Sequence, residues 1–182
     1  MQEKYWEERY KNNKLPTEPS EFAKFCGSFL REKRSIIDLG CGNGRDSYYF
    51  GEIGHQVFGV DQAIKNEENE NVNFDKISID GLMSFDCHFD VVYSRFFLHS
   101  IFDEQILNII KWSKRWFVAE FRSDGDKPVE YTDHSRNYID GNWILQELIN
   151  NGYKILYFRK GRGMAEYKSE DPLVIRVIAI KK

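Results

Sequence analysis

Ile36-Ile37-Asp38-Leu39-Gly40-Cys41-Gly42-Asn43-Gly44-Arg45-Asp46 decides the fold. A short apolar strand candidate, residues 35–39, runs into three alternating glycines and then into residues 47–53, which read as a helix stopped by Gly54. Glycine admits positive φ and lets a ligand approach the backbone. The N-terminus of the helix that follows offers N–H groups and a positive dipole end. A second strand, residues 56–60, leads to Asp61, where an acid can accept both hydroxyls of a ribose. The spacing separates nucleotide types. A dinucleotide loop wants G-x-G-x-x-G, but the third position is Arg45 counted from Gly40 and Ser47 counted from Gly42. The phosphate-loop pattern ending in Gly-Lys-Ser/Thr is absent too.

Outward from that loop, strands alternate with helices. Residues 76–79 are expected to form a third strand, 89–93 a fourth and 115–121 a fifth. Asp103 is expected to cap a helix carrying Ile106, Leu107 and Ile110 on one face. Residues 142–151 read as a helix ending at Gly152, and residues 153–158 and 173–180 as the last two strands. Residues 2–12 and 18–33 are helix-compatible and are split by the breaker Leu15-Pro16-Thr17-Glu18-Pro19. The Asn/Glu-rich stretch 66–73 reads as a solvated turn. This order predicts right-handed βαβ crossovers and a three-layer α/β/α, Rossmann-like arrangement. Its seven-stranded sheet is mostly parallel, with an antiparallel last strand, since no helix separates the final pair.

The 182 residues suit one domain, 1–182, with no separate substrate domain left over. Apolar residues make up 41% and mean hydropathy is −0.59, which excludes a mainly disordered chain. Twenty-six basic residues against 29 acidic ones give a net charge of −3, so the footprint of a dedicated nucleic-acid module is missing. No apolar run reaches the roughly 18–20 residues of a membrane span, and the charged N-terminus lacks a secretory pattern. Cys26, Cys41 and Cys87 are widely spaced and form neither a disulfide framework nor a metal-binding pattern. The expectation is a cytoplasmic protein without a metal, a monomer or homodimer, with a small molecule favoured over nucleic acid as partner and no membrane insertion.

The residues quoted above resemble the class I S-adenosylmethionine-dependent methyltransferases. Asp38-Leu39-Gly40-Cys41-Gly42-Asn43-Gly44 matches their first motif and Gly59-Val60-Asp61 their second. Ile79-Asp80-Gly81 sits where the family places a carboxylate near the adenine, and Phe89-Asp90-Val91-Val92-Tyr93-Ser94 is similar to its fourth-strand motif. The resemblance implies S-adenosyl-L-methionine as cofactor and S-adenosyl-L-homocysteine as product. It implies that Gly40, Cys41, Gly42 and Gly44 face the methionine end, Asp61 with Gln62 the ribose, Asp80 with Gly81 the adenine, and Asp38 the amino group or the loop itself. Ser94 completes the implied set. Tyr5-Trp6-Glu7-Glu8-Arg9-Tyr10 resembles the helix that lids the cofactor in many small members, so residues 1–33 are expected to form a helical lid, with Trp6 over the sulfonium or on a packing face.

Methyl transfer needs alignment and exclusion of water more than it needs acid–base groups. Candidate bases are His134 and His99, because neutral imidazole is available near pH 7. Arg122, His134, Arg136 and Arg162 come from segments that this topology brings to one rim, where guanidinium forks suit phosphate or carboxylate oxygens, and Arg95 follows the fourth strand with His99 as a further substrate-binding candidate. The alternative for each arginine is a local acid such as Asp124, Asp126 or Asp133. The segments 44–47, 93–99 and 163–176 are similar to small methyltransferases that accompany bacterial surface-polysaccharide biosynthesis. The function expected is therefore methylation of a small, anionic acceptor, such as a phosphorylated sugar or a surface-glycan precursor or decoration. An RNA or protein methyltransferase and a non-catalytic cofactor-binding module stay open as alternatives.

Overall fold

The computed structural model describes residues 6–8, 10, 15–64, 66–126 and 137–181. Its strands are β1 (Ser35–Leu39), β2 (Gln56–Asp61), β3 (Val72–Lys76), β4 (Val91–Arg95), β5 (Trp116–Arg122), β6 (Tyr153–Gly161) and β7 (Val174–Lys181). They form one sheet in the order β3-β2-β1-β4-β5-β7-β6. The first five strands run parallel, and β7 is inserted antiparallel between β5 and β6. The reversal between β2 and β4 on either side of β1 opens a crevice at the carboxyl ends of the strands, where this sheet type binds its ligands.

Buried residues alternate between the two faces, as the two-residue period of a strand requires. On one face Phe22, Ala23 and Cys26 of α1 (Glu21–Phe29) and Phe50 of α2 (Arg45–Glu52) pack with Ile36, Tyr93 and Val118. On the other, Ile106, Ile109 and Ile110 of α4 (Asp103–Trp112) and Ile144 and Leu148 of α5 (Gly141–Asn150) pack with Ile37, Val92 and Phe117. The layers are therefore helix, sheet, helix.

Two local expectations are corrected. The third strand spans Val72–Lys76, not 76–79. Val72 and Phe74 are buried there because glycines make room for them. A Cβ on Gly51 would lie 2.4 Å from Val72, and one on Gly59 would lie 2.5 Å from the Phe74 ring. Residues Ile79–Leu82 form the short helix α3, capped by Ser78 Oγ, which accepts from Gly81 N–H. Asp103 does not cap α4. It sits in the first turn, and the cap position belongs to Phe102, whose N–H donates to Gln105 Oε1 at 3.1 Å. Residues 6–8 and 10 are helical, and α1 is part of the core rather than a loose cover, with Phe22 stacked on Tyr93. Among the described residues no helix is long and apolar enough to cross a membrane.

Candidate active site

The glycine loop turns on three positive φ angles: 70° at Gly40, 55° at Gly42 and 75° at Gly44. At Gly40 glycine is required twice over, because a Cβ there would also meet the Phe97 ring at 2.6 Å. The loop spends its own donors. Gly40 and Cys41 N–H both donate to Val60 C=O, at 2.8 and 3.1 Å, and Gly44 N–H donates to Cys41 C=O at 3.0 Å. Gly42 N–H donates to Asp61 Oδ2 at 3.1 Å. A pyrophosphate would want these amides, so the loop is built to lie under a ligand without gripping phosphate oxygens.

Two acids flank the loop. Asp61 closes β2 with Oδ1 accepting from Ala63 N–H at 2.8 Å and Oδ2 accepting from Gly42 N–H and from Tyr10 Oη–H at 3.3 Å. The Tyr10 hydroxyl thus lies over Gly42 and on the Asp61 carboxylate. Trp6 stacks on Tyr10 with ring centroids 6.0 Å apart. Asp38 is buried in β1 and accepts from Ser47 Oγ–H at 2.6 Å. Burial pushes its carboxyl up to about 7, against the opposing pull of the Ser47 bond. Asp80 is exposed on the wall and accepts from Gln105 Nε2–H at 2.8 Å.

The far end is built differently, from side chains. Sheet register sets Arg95 of β4 opposite Glu120 of β5, and Glu120 opposite Arg176 of β7. Glu120 is fully buried and accepts from Arg95 Nε at 2.9 Å and from Arg176 Nε at 2.5 Å. A buried carboxylate persists only with such partners. Beside this ladder Asp46 accepts from Ser20 N–H, Ser20 Oγ–H and Tyr93 Oη–H at 2.7–2.8 Å. Phe96 follows β4 at φ 55°, a strained conformation for a residue with a Cβ, and places its ring 4.7 Å beneath the Arg95 guanidinium.

One cleft of about 1840 Å³ joins the two ends. Trp6, Asp38, Gly40, Cys41, Gly42, Asp61, Gln62 and Asp80 line it on the loop side, and Arg95, His99 and Arg122 on the other. Gly44, Gly81, Ser94 and Arg162 do not line it, although the buried Ser94 Oγ has no hydrogen-bond partner among the described residues. His99 is buried, and its Nδ1 faces Arg122 N–H at 3.4 Å. An Nδ1 that accepts puts the proton of a neutral ring on Nε2. Arg122 and Arg162 are tied to acids. Arg122 lies 2.6 Å from Glu170 and 3.7 Å from Asp126, and Arg162 lies 2.7 Å from Asp126. His134 and Arg136 lie outside the described residues. Sequence reasoning missed Arg45, Phe96 and Arg176. Arg45 was visible as the residue after the third glycine; the positive φ of Phe96 and the register of Arg176 leave no sequence signal.

A family model described as a methyltransferase domain matches residues 5–118. The chain belongs to the class I S-adenosylmethionine-dependent methyltransferases. Among curated relatives, an uncharacterised methyltransferase of Schizosaccharomyces pombe is 33% identical over 76 residues, 37% of this chain and 52% of that protein. The chain spans about half the length of the curated relatives it matches. Among solved structures, the 1,6-didemethyltoxoflavin-N1-methyltransferase of Burkholderia thailandensis, with S-adenosylhomocysteine bound, superposes at TM-score 0.71 and 18% identity, covering 88% of this chain and 76% of that one. The magnesium protoporphyrin IX methyltransferase of Synechocystis, with S-adenosylmethionine bound, superposes at 0.64 and 16% identity, again covering 88% and 76%. At these identities the likeness is one of fold. The methyltransferase's cofactor is S-adenosylmethionine, and the glycine cradle with its two acids fits that group.

Proposed function

We propose that this methyltransferase transfers a methyl group from S-adenosylmethionine to a small acceptor held in the same cleft, and that the acceptor is anionic, as a phosphorylated sugar or a surface-glycan precursor or decoration is. The observation that carries this reading is the continuity of the cleft. At about 1840 Å³ it exceeds the roughly 300–1,000 Å³ of a site for one small ligand, and it runs from the glycine loop to the Arg95 ladder.

Bound S-adenosylmethionine supplies a methyl already activated on a positive sulfur. The chain's task is then to hold, orient and dry. Asp61 is the residue to hold the ribose hydroxyls, in place of the Tyr10 hydroxyl. Asp38 offers its charge to the cationic end of the cofactor, and Asp80 to the adenine. Trp6 and Tyr10 cover the loop. No base among the described residues is asked to take a proton.

The test pairs labelled S-adenosylmethionine with a panel of phosphorylated sugars, glycan precursors, neutral sugars and RNA. Label entering only anionic small acceptors is expected; label entering RNA, or entering neutral sugars equally well, overturns the acceptor assignment. Calorimetry with S-adenosylhomocysteine checks the cofactor half. Asp61→Asn should weaken binding about tenfold or more, the loss of one charge-assisted hydrogen bond. Unchanged affinity would remove Asp61 from the site.

A further inference from the structure

Most of the charges around the acceptor end are balanced by a neighbour. Arg122 has Glu170 and Asp126, Arg162 has Asp126, and Lys24 has Glu21 at 2.9 Å. Arg45 and Arg95 differ. Both line the cleft, with side chains 18% and 20% exposed.

Arg95 shares one carboxylate, Glu120, with Arg176. It rests on the Phe96 ring, a contact that uses none of its N–H donors. Among the described residues its Nη groups meet no hydrogen-bond acceptor. Arg45 gives one Nη1–H to the neutral Glu18 carbonyl at 3.3 Å. Its nearest acid is Asp46, but that carboxylate is occupied by Ser20 and Tyr93, and Arg45 Nε stands 3.9 Å from it, beyond hydrogen-bond reach. Arg45, Arg95 and Arg176 thus contact the carboxylates of Asp46 and Glu120, and the guanidiniums of Arg45 and Arg95 stay largely buried with donors to spare. The two cleft arginines also feel each other. Burial first, and then the Arg95 charge, lower the proton affinity of Arg45.

We infer that Arg45 and Arg95 form an anion subsite that takes one carboxylate or phosphate group of the methyl acceptor. The inference rests on the reading of this cleft as the acceptor pocket. It assigns Arg45 a part that the glycine motif hides. Arg45 is the first residue of α2, directly after the left-handed Gly44, so the loop that cradles the cofactor also fixes the guanidinium. An anion held there is held at a set place relative to the cofactor, which is what in-line methyl transfer needs from its second substrate. Forked donors suit planar and tetrahedral oxyanions alike, so carboxylate and phosphate share the site's chemistry.

The experiment follows the arginine Nε–Hε resonances of the full chain by NMR while inorganic phosphate, or acetate in a parallel series, is added at constant ionic strength. Saturable shifts at Arg45 and Arg95 are expected, larger than at the exposed Arg159. Arg45→Met keeps the apolar stem at a largely buried position and should weaken phosphate binding about tenfold or more, with S-adenosylhomocysteine affinity within about twofold of wild type. Phosphate that shifts Arg159 as much as Arg45, or that titrates Arg45→Met like the wild type, overturns the subsite. So does an Arg45→Met chain that loses S-adenosylhomocysteine in parallel, since Arg45 then serves the loop and not an acceptor. A wild type that binds phosphate at Arg45 but never binds S-adenosylhomocysteine would sink the methyltransferase reading and leave the subsite standing. Acetate and phosphate series that differ sort the two oxyanions.

Discussion

The two ends of the cleft lie over the same buried sheet and are built from different materials. The loop end uses backbone. Its amides are closed on Val60, Cys41 and Asp61, and its shape comes from three residues without side chains. The far end uses charge. Arg95, Glu120 and Arg176 form a ladder across three strands, each held by the next. A backbone cradle tolerates changes of charge and fails on changes of volume. A buried charge ladder fails the other way round.

Glu120→Gln is the sharpest way to break that contrast. The amide fits the same space, but Arg95 and Arg176 lose the carboxylate that offsets their burial, and breaking a buried pair in this way costs about 3–5 kcal/mol. Chemical denaturation should show that loss. A change below about 1 kcal/mol would mean that water, not Glu120, balances the two guanidiniums.

Gly40→Val is the converse. No charge changes, but the residue carries φ 70° and its Cβ would press on Phe97. The left-handed conformation alone costs about 1–2 kcal/mol in a residue with a Cβ, and more when that Cβ is branched. Displacement of Phe97 adds to it. Stability should fall by about 2 kcal/mol and S-adenosylhomocysteine affinity by about tenfold or more, read by calorimetry. Binding that survives unchanged would show that the cradle is not set by this glycine.

The contrast also explains what could be read from the chain beforehand. Gly40, Gly42 and Gly44 announce themselves, because only glycine takes those φ angles readily, and Asp61 follows one βα unit later on the adjacent strand. The mostly parallel sheet with its antiparallel end follows from alternation and from the missing helix before β7. The ladder has no such local signature. Arg95, Glu120 and Arg176 are 25 and 56 residues apart and meet only through strand register, which a one-residue slip would reverse. Their neighbours Arg122 and Arg162 look equally suited to an anion in one dimension, and become pair members only when Glu170 and Asp126 fold beside them. The third strand lacks a local signal for a related reason. Val72 and Phe74 are two apolar residues in a polar stretch, and what makes them a strand is the room left by Gly51 and Gly59.

Asp38 tests whether the backbone end is as indifferent to charge as its construction suggests. Its carboxyl is buried and rises to about 7 from an ordinary value of 3.8. The raised value means that the folded chain keeps a proton which the unfolded chain has lost. This group's contribution to stability is therefore complete below about pH 4 and declines as pH rises, until it levels off above about 7. Without ligand, the wild type should lose stability over that window more steeply than Asp38→Asn. Binding runs the opposite way. A sulfonium or ammonium beside Asp38 favours the carboxylate, so the cofactor must displace the proton below pH 7 and finds it already gone above. Affinity for S-adenosylmethionine should rise about tenfold between pH 6 and pH 8, with proton release at pH 6 seen as a dependence of the binding heat on buffer ionisation. The same titration with Asp38→Asn should be flat over that range. An equally steep rise in the variant would transfer the proton to another group and leave Asp38 as a strut for the loop through Ser47.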